Sequence, residues 1–316
     1  MKRKKLAFTL MELLIVLGII AILVALLIPA LTMVRNMAKE TQQKAQLTTI
    51  EMGLTAFKND YGDYPPSHGC DYSNNPPNPD YSYCGAQTLA EALVGWDLLG
   101  FHPNSAWRWD GQDASNNLVY DSTKPDNLKQ RKGPYLELAT ANVFRLGNSS
   151  GTADDGLFKS SVIGGLYGDR YVICDVFTVR RMTIGSGSAV KTIKAGTPIL
   201  YYKANTSSKI FDPNAPSNPD TQATHIYNAY DNFYPINVLK SVTVDGSSGS
   251  KPHLFGGVPK NLYKLDCGEE VSGTYIYGIR DSKITTIPWP HRPDSYILIS
   301  AGADGLYGTS DDIRNF

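Results

Sequence analysis

Acidic side chains in two settings are the residues of this 316-residue chain best placed to do chemistry. Glu12 lies at the edge of a long apolar run, and Asp304, Asp311 and Asp312 share a short glycine-rich segment near the other end. A lone carboxylate inside a bilayer costs about 2.5–3.5 kcal/mol, so Glu12 requires a compensating interaction. Three carboxylates among glycines, which let backbone carbonyls turn inward, suit a hard cation such as Ca²⁺.

Four cysteines are the second set of candidate groups: Cys70, Cys84, Cys174 and Cys267. They form no C-x-x-C pair and no zinc-type spacing with histidine. In an exported chain an even number indicates disulfides, and four cysteines allow three pairings, which stay open here. We favour Cys70–Cys84, because it would close a Pro- and Asn-rich loop and stabilise the fold by about 3 kcal/mol. Buried free thiols are the alternative.

The composition and the remaining motifs argue against two broad function classes. The sequence has no H-E-x-x-H motif and no P-loop, and its five histidines are scattered. Lys and Arg total 30, as do Asp and Glu, and no basic stripe occurs beyond residues 2–5. We therefore expect neither an enzyme nor a nucleic-acid-binding protein.

The segment that carries Glu12 is long enough to cross a membrane. Residues 13–31 are apolar apart from Gly18 and Pro29, and about 20 apolar residues span the hydrocarbon core. The basic residues 2–5 predict a cytoplasmic N-terminus and an exported C-terminal body. No clear small-residue cleavage site follows the run, which disfavours an ordinary secretory signal.

Residues 7–16, with the sequence AFTLMELLIV, closely resemble the class III signal of type IV pilins and of type II secretion pseudopilins. This resemblance implies that a prepilin peptidase cuts between Ala7 and Phe8 and methylates Phe8. The family usually has Gly before the cut, so Ala7 is a departure. It also implies that the new ammonium group of Phe8 meets Glu12 of a neighbouring filament subunit, which would remove the cost of an isolated charge. Pro29 matches a position at which the family's helix kinks.

The membrane segment should continue as a second, amphipathic stretch of the same helix. Apolar residues recur there at alternating steps of three and four: Leu47, Ile50, Leu54, Phe57 and Tyr61. This spacing predicts one helix face that packs under a sheet. A free coiled coil is the weaker alternative, because the apolar seam is short. Gly62 can cap the helix, and the Pro65-Pro66 pair cannot continue it.

Downstream, we expect a short helix at 88–100 and strands at 171–179, 199–203, 238–244, 273–279 and 295–300. The predicted class is α+β: a long N-terminal transmembrane and stalk α-helix packed on a C-terminal antiparallel β-sheet domain, the type IV pilin-like fold. The predicted segments are a leader at 1–7, a transmembrane and assembly helix at 8–31, a stalk helix at 32–61 and an exported globular domain at 62–316. Within that domain a loop-rich insertion spans about 101–285 and the acidic loop spans 300–313.

The acidic loop also closely resembles the calcium loop of the major pseudopilin, in which an Asp precedes an Asp pair by seven and eight residues. The match implies that Asp304, Asp311 and Asp312 are side-chain ligands of a structural Ca²⁺, with backbone carbonyls from Ala301 and Leu306. An Asp- and Gly-rich turn without metal is the alternative.

A shorter acidic turn, which contains Asp154 and Asp155, repeats part of this pattern. It leaves open a second cation site or, as the simpler interpretation, an exposed turn.

As a whole the chain resembles the major (G-type) pseudopilin of type II secretion systems, with an enlarged middle region. This resemblance implies a subunit that assembles with copies of itself, with minor pseudopilins and with an inner-membrane assembly platform into a periplasmic pseudopilus for protein secretion. It implies one pass through the bacterial inner membrane, with the body in the periplasm. A surface type IV pilus subunit or adhesin, exposed on extracellular filaments, is the alternative. The cargo or adhesion target and the role of the middle region stay open.

Overall fold

The computed structural model describes residues 10–67, 83–147, 156–157, 162–163, 166–167, 170–178, 180–184, 191–213, 224–233, 236, 242–243, 250–251, 253–255 and 259–316. The chain divides into two compact units, Met1–Gln42 and Gln43–Phe316. The predicted α+β class is confirmed, because a long N-terminal helix precedes a set of antiparallel sheets. The four predicted segment boundaries stay predictions.

The first helix, α1 (Leu10–Tyr61), spans 52 residues. Its N-terminal part is long and apolar enough to cross a membrane, with a mean hydropathy of 3.2 in its most apolar window. Its C-terminal part buries Leu47, Ile50, Leu54 and Phe57, which confirms the predicted apolar face. The helix ends as expected at Gly62, which has a φ of +86° and donates its N–H to the Lys58 carbonyl at 2.7 Å.

The second helix, α2 (Gly85–Val94), is buried along its whole length. It begins and ends earlier than the helix predicted at 88–100, so both predicted ends are wrong. The helix stops because Gly95 adopts a φ of +92° and donates its N–H to the Glu91 carbonyl. A Cβ on Gly95 would lie 2.4 Å from the Gly100 carbonyl oxygen, so only glycine allows this tight turn. A third, exposed helix, α3 (Pro125–Gln130), follows.

The described residues form thirteen short strands, most of them paired as hairpins: β1 (Val143–Arg145), β2 (Val162–Ile163), β3 (Leu166–Tyr167), β4 (Tyr171–Ile173), β5 (Arg180–Ile184), β6 (Lys191–Ala195), β7 (Leu200–Lys203), β8 (Val242–Thr243), β9 (Ser250–Lys251), β10 (Glu269–Val271), β11 (Thr274–Ile276), β12 (Tyr296–Ser300) and β13 (Ile313–Arg314). One sheet has three strands in the order β13-β12-β7, all antiparallel. The other pairs are β1-β4, β2-β3, β5-β6, β8-β9 and β10-β11.

The strands predicted at 199–203 and 295–300 are confirmed to within one residue, as β7 and β12. The strand predicted at 171–179 is shorter, because Asp175 turns its carboxylate back onto the backbone. Its Oδ1 accepts the N–H groups of Phe177 at 3.2 Å and Thr197 at 3.1 Å, which ends β4. The strand predicted at 273–279 is reduced to β11, and of 238–244 the structure describes β8.

The three-stranded sheet is buried on both faces. Along β12, Tyr296 and Leu298 belong to one core cluster, together with Leu54 of α1 and Leu93 of α2. Ile297 and Ile299 alternate with them and belong to a second cluster. That second cluster draws mainly on the middle of the chain: Phe211, Ile226, Tyr227, Phe255, Leu262, Tyr263, Ile276 and Ile279. Helices therefore cover one sheet face, and residues from the middle of the chain cover the other.

Candidate functional site

The N-terminal candidate residues lie at the start of α1. Glu12 is in the first helical turn, where the partial positive charge of a helix N-terminus favours an acid. The adjoining Leu13 and Leu14 are exposed. Pro29 lies inside α1, and the helix continues through it. Ala7 and Phe8 lie outside the described residues, so the cleavage and pairing predicted for them stay predictions.

The acidic loop connects the end of β12 to the start of β13. Its three carboxylates accept hydrogen bonds from the loop's own backbone. The N–H of Asp304 donates to Asp311 Oδ2 at 2.9 Å, and that of Leu306 donates to Asp304 Oδ1 at 2.7 Å. The N–H of Gly308 donates to Asp312 Oδ2 at 2.8 Å. The carboxylates thus fix the loop's path, and the backbone orients them in return.

The electrostatics of this loop disfavour three simultaneous negative charges. Burial, with the nearby charge of Asp311, raises the pKa of Asp304 to about 6. Burial also raises the pKa of Asp312 well above its usual range, and the charges of Asp311 and Asp304 add to the effect. Asp312 Oδ1 is buried and accepts no hydrogen bond. A bound divalent cation would neutralise this repulsion and give that oxygen a partner. The three carboxylates do not, however, bring their oxygens within 4.8 Å of one another, so they would have to move closer together to hold the predicted Ca²⁺.

The two backbone ligands implied by the resemblance lie in the same loop. Ala301 and Leu306 are both buried, and the Leu306 carbonyl accepts a hydrogen bond from Thr309 Oγ1 at 3.1 Å. The structure thus brings Asp304 and Asp311 into direct contact and places Asp312 on the same loop. The ligand roles of all five residues stay predictions.

The cysteines fall into two environments. Cys84, just before α2, and Cys174, just after β4, are buried in one small cluster with Ala86, Leu146 and Val172. Cys267 is an exposed free cysteine. Cys70 lies outside the described residues, so the Cys70–Cys84 pairing stays a prediction. The turn with Asp154 and Asp155 also lies outside them.

Two groups of titratable side chains were not predicted from the sequence. Glu91 of α2 is buried, and its Oε1 accepts hydrogen bonds from Ser105 Oγ at 2.5 Å and Tyr120 Oη at 2.8 Å. Its only sequence signal was an acid inside an apolar helical stretch.

The second group, Asp266, Asp281 and His291, offers one ligand atom each within 4.8 Å of one another. Among the described residues, these are the three Asp, Glu, His or Cys side chains whose ligand atoms lie close enough together to hold one metal ion. These residues are far apart in the chain and match no metal motif, so no sequence signal could have found them.

Comparison with known proteins bears on the N-terminal segment. Residues 2–28 match the family model of the prokaryotic N-terminal methylation motif. No curated protein and no solved structure is significantly similar to the chain. The motif implies processing by a prepilin peptidase and filament assembly in a membrane context, and within the described part of the chain α1 is the helix long and apolar enough to span a membrane. The motif at residues 2–28 and the long apolar helix are features that this chain shares with type IV pilin-like proteins, and they support a structural role as a pilin-like subunit.

Proposed function

We propose that this subunit is a major-pseudopilin-like protein that builds a periplasmic pseudopilus for type II secretion. The observation that carries the proposal is the loop between β12 and β13. Asp304 and Asp311 are in contact there, Asp312 lies on the same loop, and the buried Oδ1 of Asp312 accepts no hydrogen bond. Such a loop supports a structural cation site in the position at which the sequence resembles major pseudopilins.

In this proposal Ca²⁺ is a structural cofactor. Asp304, Asp311 and Asp312 would hold it by side-chain oxygens, and Ala301 and Leu306 by backbone carbonyls. The ion supplies positive charge that offsets the repulsion between the carboxylates. The loop joins the central and edge strands of the three-stranded sheet, and therefore its order bears on the sheet that contacts α1.

Assembly would depend on the membrane helix. Cleavage after Ala7 gives Phe8 a new ammonium group, and Glu12 of an adjacent subunit can pair with it. Because an unpaired acid is costly in an apolar environment, the pair favours association and sets the axial register. Minor pseudopilins and an inner-membrane platform would initiate and drive assembly. The C-terminal body would face the periplasm.

A surface pilus subunit is the second candidate, and the enlarged middle region favours it. Part of that region, however, forms the second core of the sheet, as the burial of Tyr227, Tyr263 and Ile279 indicates. A structural role therefore accounts for some of the added length without an adhesive function.

Deletion of the gene in its own bacterium separates the two candidates. We expect exoproteins to accumulate in the periplasm, surface fibres to be unchanged, and a plasmid copy to restore secretion. Normal secretion together with lost surface fibres would instead establish the pilus. Cell fractionation and electron microscopy of the same cultures give both readouts.

A further inference from the structure

A compact group of metal-ligating side chains lies outside the acidic loop. Asp266, Asp281 and His291 belong to three chain segments held side by side by backbone hydrogen bonds. The N–H of Asp266 donates to the Arg280 carbonyl at 3.0 Å. The N–H of Asp281 donates to the Trp289 carbonyl at 2.8 Å, and the N–H of His291 donates to the Ile279 carbonyl at 2.9 Å. The three side chains are thus placed together by a rigid backbone framework.

Each carboxylate directs one oxygen to the backbone and the other to the imidazole. Asp266 Oδ1 accepts the N–H of Ser282 at 3.1 Å, and Asp281 Oδ1 accepts the N–H of Lys283 at 2.8 Å. Asp266 Oδ2 lies 2.9 Å from His291 Nε2, and Asp281 Oδ2 lies 3.8 Å from His291 Nδ1. Backbone contacts of this kind orient ligands in metal sites.

The imidazole is also held in place and within reach of solvent. The ring of His291 stacks on that of Phe316, with centroids 4.8 Å apart and an interplanar angle of 24°. The side chains of His291, Asp266 and Asp281 are 16%, 24% and 19% exposed, so a hydrated ion can approach them. The guanidinium group of the adjacent Arg280 lies 3.8 Å from Glu269, with which it forms an ion pair.

We propose that Asp266, Asp281 and His291 form a binding site for one divalent metal ion of the zinc class. Zn²⁺ accepts imidazole nitrogen and carboxylate oxygen at about 2.0–2.2 Å, so its ligand atoms lie roughly 3.3 Å apart in a tetrahedral site. The three candidate atoms lie within 4.8 Å of one another. Because Asp266 approaches Nε2 of His291 and Asp281 approaches Nδ1, the side chains must rotate until both carboxylates face the same ring nitrogen. Water would fill the fourth position.

The donor set distinguishes this site from the acidic loop. An imidazole suits zinc, copper and nickel, whereas Ca²⁺ and Mg²⁺ prefer oxygen ligands throughout. The proposal does not depend on the proposed secretion function. Its consequence is a metal link between Asp266 and Asp281, in the enlarged middle region, and His291, which precedes β12.

Zinc binding to full-length, untagged protein in detergent tests the site. Excess Ca²⁺ is present to saturate the acidic loop, and bound zinc is measured after equilibrium dialysis against Zn²⁺. We expect about one zinc per chain and a melting temperature a few degrees higher. Asp281→Asn and His291→Gln should each weaken zinc binding by more than about tenfold. Asp294→Asn, an exposed acid outside the group, should bind as the wild type does.

Two results would overturn the site. One is a folded wild type that binds no zinc up to about 100 µM, a concentration that detects even weak sites. The other is wild-type affinity in Asp281→Asn. Either would leave the three residues as a histidine–carboxylate clamp without metal. Asp281→Asn keeps the shorter Asp266–His291 contact, so its affinity decides the question even where His291→Gln fails to fold.

Discussion

Glu91 is an acid whose protonation is coupled to the stability of the folded chain. Its Oε1 is hydrogen-bonded to Ser105 and Tyr120, but its Oε2 is buried without a partner. Burial raises its pKa to about 7. Asp231 is similar, since burial raises its pKa to about 7 although Ser67 donates a hydrogen bond to it. The folded state therefore favours the neutral, protonated form of both side chains.

Glu91→Gln should reduce the loss of stability between pH 5 and pH 8. The folded pKa of Glu91 is about 7 and its usual value is 4.5. Its contribution is therefore complete below pH 4.5 and disappears as the pH rises to about 7, a loss of roughly 3 kcal/mol. Glutamine has no such titration and keeps an acceptor for Ser105 and Tyr120. Urea unfolding of the full-length protein from pH 5 to 8 measures the slope.

Glu137→Gln, at an exposed acid, is the matched control and should leave that slope unchanged. Asp231 titrates over the same range, so Glu91→Gln should reduce the slope without abolishing it. An identical slope in wild type and Glu91→Gln would contradict the assignment of a raised pKa to Glu91.

Asp311→Ala should abolish stabilisation by calcium. Asp311 accepts hydrogen bonds from Asp304 N–H at 2.9 Å and Thr309 Oγ1 at 2.5 Å, and thus lies at the centre of the acidic loop. A ligand at 100 times its Kd stabilises by about 2.7 kcal/mol. We therefore expect a melting shift between Ca²⁺ and chelator in the wild type and none in the variant. Because the readout is a difference within each protein, lower basal stability of the variant does not affect it.

Glu270→Gln, at an exposed acid of β10, is the control for this experiment. It should keep the full calcium shift. A shift of equal size in Asp311→Ala would remove the acidic loop as the calcium site.

Residues close in sequence could be predicted as a site, and residues brought together by the fold could not. Asp304, Asp311 and Asp312 lie within nine residues and among glycines, so their placement on one loop could be predicted from their spacing. Asp266 and His291 are 25 positions apart and meet through backbone contacts between loops that follow no period. The burial of Glu91 likewise depends on elements that surround α2 on all sides.

At the level of elements, the C-terminal part of α1 should contribute stability through one face only. Leu54 is completely buried, whereas Met52 is 67% exposed. Leu54→Ala should cost about 2–5 kcal/mol, because a cavity remains in the core shared with Leu93 and Leu298. Met52→Ala, which also shortens an apolar side chain, should change stability by less than about 0.5 kcal/mol. Denaturant unfolding compares them, and equal losses would contradict the packing of this face.

The helix period predicted that face because α1 is long and its apolar stripe is regular. The residue at which α2 ends was harder to predict from the sequence, because it depends on a tertiary contact, the close approach of Gly95 and Gly100. For the same reason β7 and β12 could be recognised as strands, but their pairing across nearly a hundred residues could not. Short strands such as β1 and β4 have too few residues for a period-two pattern.

At the level of the whole molecule, the middle of the chain has a structural role in the core of the sheet. The sheet β13-β12-β7 presents Leu200, Tyr202, Ile297 and Ile299 on the face opposite α1. Residues of the middle region cover these side chains, so that face needs no partner protein to bury it. Any recognition function of the middle region should therefore be sought on its outer surface.

Assembly itself should depend on Glu12 and not on the other acids of α1. Removing an acid from an apolar helix makes membrane insertion easier by about 2.5–3.5 kcal/mol, so Glu12→Ala should reach the membrane normally. It should nevertheless assemble poorly, because the ammonium group of Phe8 on a neighbouring subunit then has no counter-ion in an apolar filament core. Membrane fractionation and electron microscopy of sheared filaments measure the two steps separately.

Glu40→Ala is the matched control, because Glu40 is an exposed acid of the same helix beyond the apolar segment. It should insert and assemble as the wild type does. Normal filaments from Glu12→Ala would refute the pairing, whereas loss of both insertion and assembly would show that Glu12 acts before the filament forms. Assembly lost with insertion intact is the outcome expected if the acid is retained in the apolar helix because a second subunit neutralises it.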